Sequence, residues 1–321
     1  MCIYYKAFRP KGFLINYIIM YKEYYENKCC IVTGGTGFIG RNIVEELLKF
    51  NIKSIIIFDR TLKYRWDDDR IIYIQGNLLY DLEKLCIYDF DIVFHEAANV
   101  DTTCTDNNNM INTNYNAFKN LVKICEDKGA KLIYASSAAI YGNSSAPNIV
   151  GNGENPLNIY GQSKYLMDKY IRENDIKIPV IGIRYFNVYG PGELHKNKMM
   201  SMISQIILKV KENNNVELFE FGEQKRDFVY VKDVAWCNIL CGVYDKTDIF
   251  NCGYGISISF NTIFNIIKSI YKTESIIKYI PLRYDFYQNN TIADISKIQN
   301  SIGYIPKYNI EQGIHDYTKT F

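Results

Sequence analysis

The side chains best suited to chemistry are Ser137, Tyr160 and Lys164. Ser136-Ser137 closes an apolar run, and Tyr160 and Lys164 stand four apart in a helical pattern. Withdrawing a hydride from an alcohol requires a base for the hydroxyl proton, and a free phenol with a pKa of about 10 is mostly protonated at neutral pH. Bringing that value to about 7 takes roughly 4 kcal/mol, which one cation about 4 Å away supplies at an effective dielectric of about 20. Lys164, one helical turn from Tyr160, is such a cation, and Ser137 would hydrogen-bond the reacting oxygen. The Tyr-x-x-x-Lys spacing alone selects nothing, because it begins at Tyr24, Tyr80, Tyr115, Tyr160 and Tyr165 in a chain of 28 tyrosines. Position singles out Tyr160. It follows the serine pair, and Asn155-Pro156-Leu157-Asn158 gives a stop and an N-cap just before its helix. Tyr165 opens an overlapping copy that faces another direction around the helix.

Upstream, TGGTGFIG (Thr33 to Gly40) ends one apolar stretch and opens an amphipathic one. Cys29 to Val32 reads as a short buried strand. Phe38 to Phe50 puts Phe38, Ile39, Ile43, Val44, Leu47 and Leu48 on one helical face. The glycines therefore sit in a strand-to-helix turn: Gly34 for tightness, Gly37 for approach to a pyrophosphate, Gly40 for close packing of helix on strand. Asp59 closes the second strand roughly 20 residues beyond the last glycine, where an acid binds the adenosine ribose hydroxyls or simply caps the strand. Arg60 and Lys63 follow and could hold a 2'-phosphate, which keeps both NAD and NADP open.

Strand-like runs at Ser54 to Phe58, Ile71 to Ile74, Ile92 to Phe94, Lys131 to Ala135 and Val180 to Arg184 alternate with helical patterns such as Met110 to Lys128 and Asn158 to Glu173. Such alternation predicts an α/β fold, a doubly wound parallel sheet with helices on both faces, over residues 29–186. After Tyr185 the pattern loosens into a loop (Asn187 to Lys198), a helix (Met199 to Lys211), a short strand (Glu217 to Phe221) and mixed elements. Residues 187–321 are therefore expected to form mainly a smaller substrate-binding lobe, partly interleaved with the first domain.

At 321 residues and 48% hydrophobic content the chain can bury a real core, and a formal charge of +2 with interspersed signs leaves no basic stripe for nucleic acid. Nine scattered cysteines point to a reducing cytoplasm, and with three histidines and no ligand spacing no metal is expected. Residues 1–28 form an N-terminal extension whose basic and apolar parts only superficially resemble a signal sequence. The apolar part is too short to span a bilayer, Asn16 interrupts it, and no cleavage site follows. Met20 offers an alternative start to a loosely ordered segment; mass spectrometry of the native N-terminus would distinguish them. No membrane association is expected.

TGGTGFIG, HEAA (His95 to Ala98), YASSAAIYG (Tyr134 to Gly142), PLNIYGQSK (Pro156 to Lys164), RYFNVYGPGE (Arg184 to Glu193) and RDFVYVKDV (Arg226 to Val234) together resemble the extended short-chain dehydrogenase/reductases, in their NAD-dependent epimerase/dehydratase family. The likeness runs from Cys29 to Tyr317. FHEAANVDTT, YASSAAIYG and RYFNVYGPGELHKNKMMSM are most similar to the ADP-glyceromanno-heptose 6-epimerases, although LHKNKM stands where those enzymes read GHKGSM and FEFGEQKRDF is closer to other nucleotide-sugar epimerases. The resemblance implies a Rossmann-type fold, tightly bound NAD or NADP, a nucleotide-diphosphate sugar as substrate, and a homo-oligomer. It implies that Gly34, Gly37, Phe38, Ile39, Gly40, Asp59, Arg60, Ala97, Tyr160 and Lys164 hold the cofactor, and that Ser137, Asn187, Lys196 and Arg226 meet the sugar-diphosphate. Lys196 would share acid/base work with Tyr160 from the opposite face, as inversion of a carbon requires. A plainer reading makes Lys196 a solvated loop lysine and pairs Arg226 with Asp227.

Three alternatives are set beside the heptose epimerase. A UDP-hexose 4-epimerase shares every core motif. A 4,6-dehydratase carries an Asp-Glu pair where Ala138-Ala139 stand here, and these cannot move a proton. A non-catalytic cofactor-binding scaffold would commonly lose the tyrosine or the lysine, and both are present.

Overall fold

A five-residue apolar run, Cys29–Thr33, makes β1, every residue of which is buried. In the computed structural model, which describes residues 20–102, 104–281 and 290–321, it is followed by α1 (Phe38–Leu47), β2 (Ser54–Asp59), β3 (Ile71–Gln75) and β4 (Ile92–His95). The next helix starts as Asn107–Ile111, loosens into a π-helical turn at Asn112–Asn116 and continues as α2 (Ala117–Lys128). Then come β5 (Lys131–Ser137), α3 (Ile159–Glu173) and β6 (Val180–Tyr185). Asn158 caps α3, its side chain accepting from the Gly161 amide at 2.8 Å. The rest of the chain forms β7 (Asn187–Tyr189), α4 (Met202–Lys211), β8 (Val216–Phe219), β9 (Lys225–Tyr230), α5 (Val231–Val243), β10 (Asp248–Cys252), β11 (Ser257–Ser259), α6 (Phe260–Tyr271), β12 (Ile277–Ile280), α7 (Ser296–Ile302) and α8 (Ile310–Thr318).

Seven strands build the main sheet in the order β10-β6-β5-β4-β1-β2-β3, all parallel. Side chains alternate across each strand, so the sheet separates two apolar layers. Cys30 and Val32 enter one layer and Cys29 and Ile31 the other. The chain winds outward through β2 and β3, then returns to β4 on the other side of β1. Crevices for ligands open at the carboxyl ends of strands where the winding reverses, and here that point lies between β1 and β4.

Elements beyond residue 187 serve both halves. β10 extends the main sheet and α5 packs on α1. The smaller lobe holds the sheets β11-β9-β7 and β12-β8 with α4, α6 and α8 around a separate apolar cluster. The expected loop from Asn187 to Lys198 contains β7 and a 3-10 run, Leu194–Met199; a three-residue strand is too short for alternation to reveal. The helix expected from Met199 begins at Met202 because Ser201 caps it, accepting from the Ser204 amide. The expected strand to Phe221 stops at Phe219, and Phe221 turns to a φ of 62°.

Residues 1–19 lie outside the described residues. Residues 20–28, grouped from sequence with the extension, are packed: Tyr21 and Tyr25 join the main core, and the Tyr25 hydroxyl donates to the Ile239 carbonyl at 2.8 Å. No helix among the described residues is long and apolar enough to cross a membrane.

Candidate active site

Gly34 follows β1 at a φ of 67°, in left-handed space that favours glycine, and a Cβ there would stand 2.8 Å from the Ala97 nitrogen. This brings the segment after β4 against the turn. Gly40 approaches the Gly34 carbonyl so closely that a Cβ would lie 2.2 Å from its oxygen, which seats α1 on the turn. Gly37 is the N-cap of α1, with no side chain bonded to the first-turn amides. A Cβ at Gly37 would meet little beyond the Gly34 carbonyl and would fill the cradle itself. Unclaimed amides at a helix start over a side-chain-free cradle fit a pyrophosphate. Phe38 and Ile39 open that helix. Asp59 ends β2 with Oδ2 accepting from the Thr36 amide (3.1 Å) and hydroxyl (2.8 Å), so it also braces the turn. Arg60 and Lys63 beside it are exposed.

Ser137, Tyr160 and Lys164 come together at the carboxyl end of β5. The Tyr160 hydroxyl shares a hydrogen bond with Ser137, whose Oγ also accepts from the Ala139 amide at 3.1 Å. The Lys164 amine is buried and donates to the Ala135 carbonyl at 2.7 Å. Burial pushes the amine down to about 8, while Glu96 and Asp168 push it up. Tyr160 departs from expectation. Burial raises its phenol above the ordinary value, the Ser137 bond opposes this, and the Glu96 charge adds to it. A lysine that is itself partly discharged by desolvation does not by its own charge bring the phenol to neutrality.

Glu96, Asn114 and Asp168 belong to the site although sequence reasoning did not single them out. In β4-β5 pairing His95 faces Tyr134, so Glu96 comes next to Ala135. It accepts from the Tyr185 hydroxyl at 2.8 Å, and burial raises its carboxyl to about 7. Its place within HEAA was the available signal. Its neighbour His95 is kept neutral, with a pKa lowered by burial to about 3, and its Nδ1 meets the Thr33 hydroxyl at 2.8 Å. Asn114, in the π-helical turn, accepts from the Asn99 amide (2.7 Å) and donates to the Ser163 hydroxyl (3.0 Å), tying that turn to α3. Asp168 lies one turn beyond Lys164. It accepts from the Tyr134 hydroxyl and from Arg184 Nε, both at 2.7 Å, and Arg184 reaches Glu154 at 2.6 Å. A buried cluster thus fixes α3 to β5, β6 and the loop before it. Its signal, an i,i+4 position on one helix face, is too common to be diagnostic.

Asn187, Lys196 and Arg226 line a cavity of about 340 Å³ in the smaller lobe, with Phe219, Phe228 and Phe260 among its apolar walls. The Asn187 side chain donates to the Asp227 carbonyl at 3.1 Å. Arg226 is buried over the Phe260 ring, 5.8 Å from its centroid. Asp227 accepts from the amides of Tyr254, Gly255 and Ala293, and burial raises its carboxyl to about 6. Lys196 is half-buried with its amine pushed down by burial, and Nζ stands 5.2 Å above the Phe38 ring. It therefore links this cavity to the start of α1 and is not a solvated loop lysine. Among the described residues no group of three or more His, Cys, Asp or Glu could hold a metal ion.

Known proteins are similar to this chain in sequence and in fold. The chain is 36% identical to an ADP-L-glycero-D-manno-heptose-6-epimerase of Brachyspira hyodysenteriae, over 90% of this chain and 96% of that protein. The crystal structure of Helicobacter pylori ADP-L-glycero-D-manno-heptose-6-epimerase superposes with a TM-score of 0.86 at 37% identity, covering 92% of this chain and 96% of that one. A UDP-N-acetylglucosamine 4-epimerase from Methanobrevibacter ruminantium M1 is similar at 28% identity and a TM-score of 0.85, over 92% of this chain and 98% of that one. A sequence model described as the NAD dependent epimerase/dehydratase family matches residues 30–253, and with the glycine turn and the Ser137, Tyr160, Lys164 set in place, the chain belongs to that family.

Proposed function

We propose that this protein is an epimerase of a nucleotide-activated heptose, with NAD as its resident cofactor. The carrying observation is the juxtaposition of two proton-handling sets. Tyr160 with Ser137 and Lys164 stands at the carboxyl end of β5, Ser137 pairs with Tyr185 two residues before Asn187, and Asn187 lines a cavity with Arg226 and with Lys196, which reaches the first residue of α1. The names of the two heptose-epimerase relatives support the sugar.

Gly34, Gly37 and Gly40 with the first amides of α1 would hold the dinucleotide pyrophosphate, Phe38, Ile39 and Ala97 would line it, and Lys164 and Tyr160 would meet the nicotinamide ribose. Asp59 would take the adenosine ribose hydroxyls. Its carboxylate argues for NAD over NADP, since a 2'-phosphate would meet like charge, while Arg60 points its charge to solvent. The chemistry a bound oxidised nicotinamide supplies is reversible hydride acceptance together with a positive charge. Ser137 aligns the substrate hydroxyl, and Tyr160 receives its proton once nearby positive charge offsets the burial of the phenol. The ketone then presents its other face, where Lys196 handles the proton. The redox balance is zero. Arg226 would grip phosphate oxygens with charge-assisted bonds. A tightly held cofactor, a cytoplasmic setting and a homo-oligomer complete the reading.

The test is incubation of the purified protein with ADP-glyceromanno-heptose and a panel of UDP-hexoses, followed by proton NMR. Inversion of the heptose supports the reading. Turnover of a UDP-hexose alone makes the protein a 4-epimerase, and conversion of nothing by cofactor-loaded protein removes the epimerase claim.

A further inference from the structure

We infer that Glu193 is the positioning residue for Lys196: its carboxylate closes both ends of the 190–201 loop and so holds the lysine amine over the ring that opens α1. Glu193 is 0% exposed, and a carboxylate out of water must be met by several donors. Oε1 accepts from the Gly190 amide at 3.1 Å and the Ser201 hydroxyl at 2.8 Å, and Oε2 from the Ser201 amide at 2.7 Å. The Ser204 hydroxyl donates as well. One anion therefore gathers residue 190, residue 201 and the first turn of α4.

The loop is also anchored from outside. Asn42 on α1 donates to the Pro191 carbonyl at 3.0 Å, and the Arg41 side chain lies against Gly192. On the other side the Ser204 hydroxyl meets the Tyr317 hydroxyl of α8 at 2.8 Å. The closed loop thus spans the helix of the glycine turn and the smaller lobe. Within it the Lys196 amide donates to the Glu193 carbonyl at 2.9 Å, which starts the 3-10 run that aims the side chain at Phe38. Among the described side chains, the charged groups around Lys196 are Glu193 in the loop, Arg41 of α1 against Gly192 and, across the cavity, Glu217 on β8 and Arg226 on β9; His195 is turned to the Gly192 carbonyl.

The catalytic value of this placement rests on the reading of Lys196 given above, but the placement itself is measurable without turnover. Competitive acetylation of the full-length protein with trace acetic anhydride across a pH series, read by peptide mass spectrometry, gives the titration midpoint of Lys196. Two effects of Glu193 oppose each other there. Its charge raises the midpoint, while the burial it enforces lowers it. In Glu193→Gln all four partners remain donors and one acceptor oxygen is lost, so the loop opens and the midpoint rises toward that of an exposed lysine. A fall means that Glu193 acts only through its charge and overturns the inference; with no change the two effects can offset each other, so the charge-neutral Ser204→Ala then decides, a rise there supporting the inference and an unmoved midpoint overturning it. Ser204→Ala removes one donor, should give a smaller rise, and decides alone if the first variant does not fold. Turnover of the same samples bears on Lys196: with the midpoint raised, a loss of kcat at steady KM supports its acid/base role, whereas unchanged kcat removes it from the reaction and leaves the positioning intact.

Discussion

The Lys164 amine is bonded to the Ala135 carbonyl at 2.7 Å, in a place where only 2% of the residue is exposed. Its charge is therefore expensive. With the amine lowered to about 8 in the folded chain from 10.5, the unfolded chain binds more protons between those values. The cost is complete below pH 8 and disappears as pH rises through about 10.5. It amounts to about 3 kcal/mol, less about 1 kcal/mol for the lost bond in a variant. Lys164→Met should raise the melting temperature at pH 7 by roughly 2–5 °C and abolish turnover, with the thermal gain shrinking above pH 8. Calorimetry at pH 7 and pH 10 would check this.

Tyr160→Phe keeps the ring and loses the proton acceptor. Turnover should fall by roughly 10²–10⁴-fold, with cofactor binding and circular dichroism unchanged. A scaffold would lose nothing in any function it serves.

Glu96 shares the sheet edge with Lys164, and its charge raises both that amine and the Tyr160 phenol. Glu96→Gln should move both down, shifting the acid limb of the kcat/KM profile to lower pH. An identical profile in the variant would show that Glu96 does not face the reacting groups.

Asp168→Asn leaves the Arg184 guanidinium, itself 0% exposed, with Glu154 as its remaining carboxylate. Breaking a buried pair on one side costs about 3–5 kcal/mol, and urea unfolding should show it. Asp168→Ala combined with Arg184→Met should cost less than the first change alone.

In the proposed reading Asp59 decides between NAD and NADP. Asp59→Ser should weaken NAD and improve NADP, changing their affinity ratio by roughly tenfold, about 1.4 kcal/mol, in a fluorescence titration. A ratio that stays fixed would confine Asp59 to bracing Thr36.

Much of this was legible in the chain because its signals are local. The glycines of the first turn, the five later strands of the main sheet up to Arg184, and the serine-to-tyrosine order are read from runs of a few residues. Asn187, Lys196 and Arg226, which the resemblance named as contacts of the sugar-diphosphate, line one cavity. What stayed hidden depends on contacts that only the folded chain makes, whether across one loop or between distant segments. Glu96 acquires its meaning from Tyr185, Glu193 from Ser201 and Ser204, and Tyr25 from a carbonyl more than 200 residues away. The phenol's direction of shift was missed for a similar reason. Spacing gives the distance of a cation, while burial of both members of the pair is a property of the assembled sheet.

The return of β10 to the edge of β6 has a consequence for synthesis. A nascent chain released as far as residue 186 would leave the β10-facing edge of Val180–Tyr185 without its partner strand and would lack the helix that covers α1. The main sheet is thus completed only after about 250 residues have left the ribosome, and stop codons placed before Cys252 should yield aggregates instead of a free folded fragment.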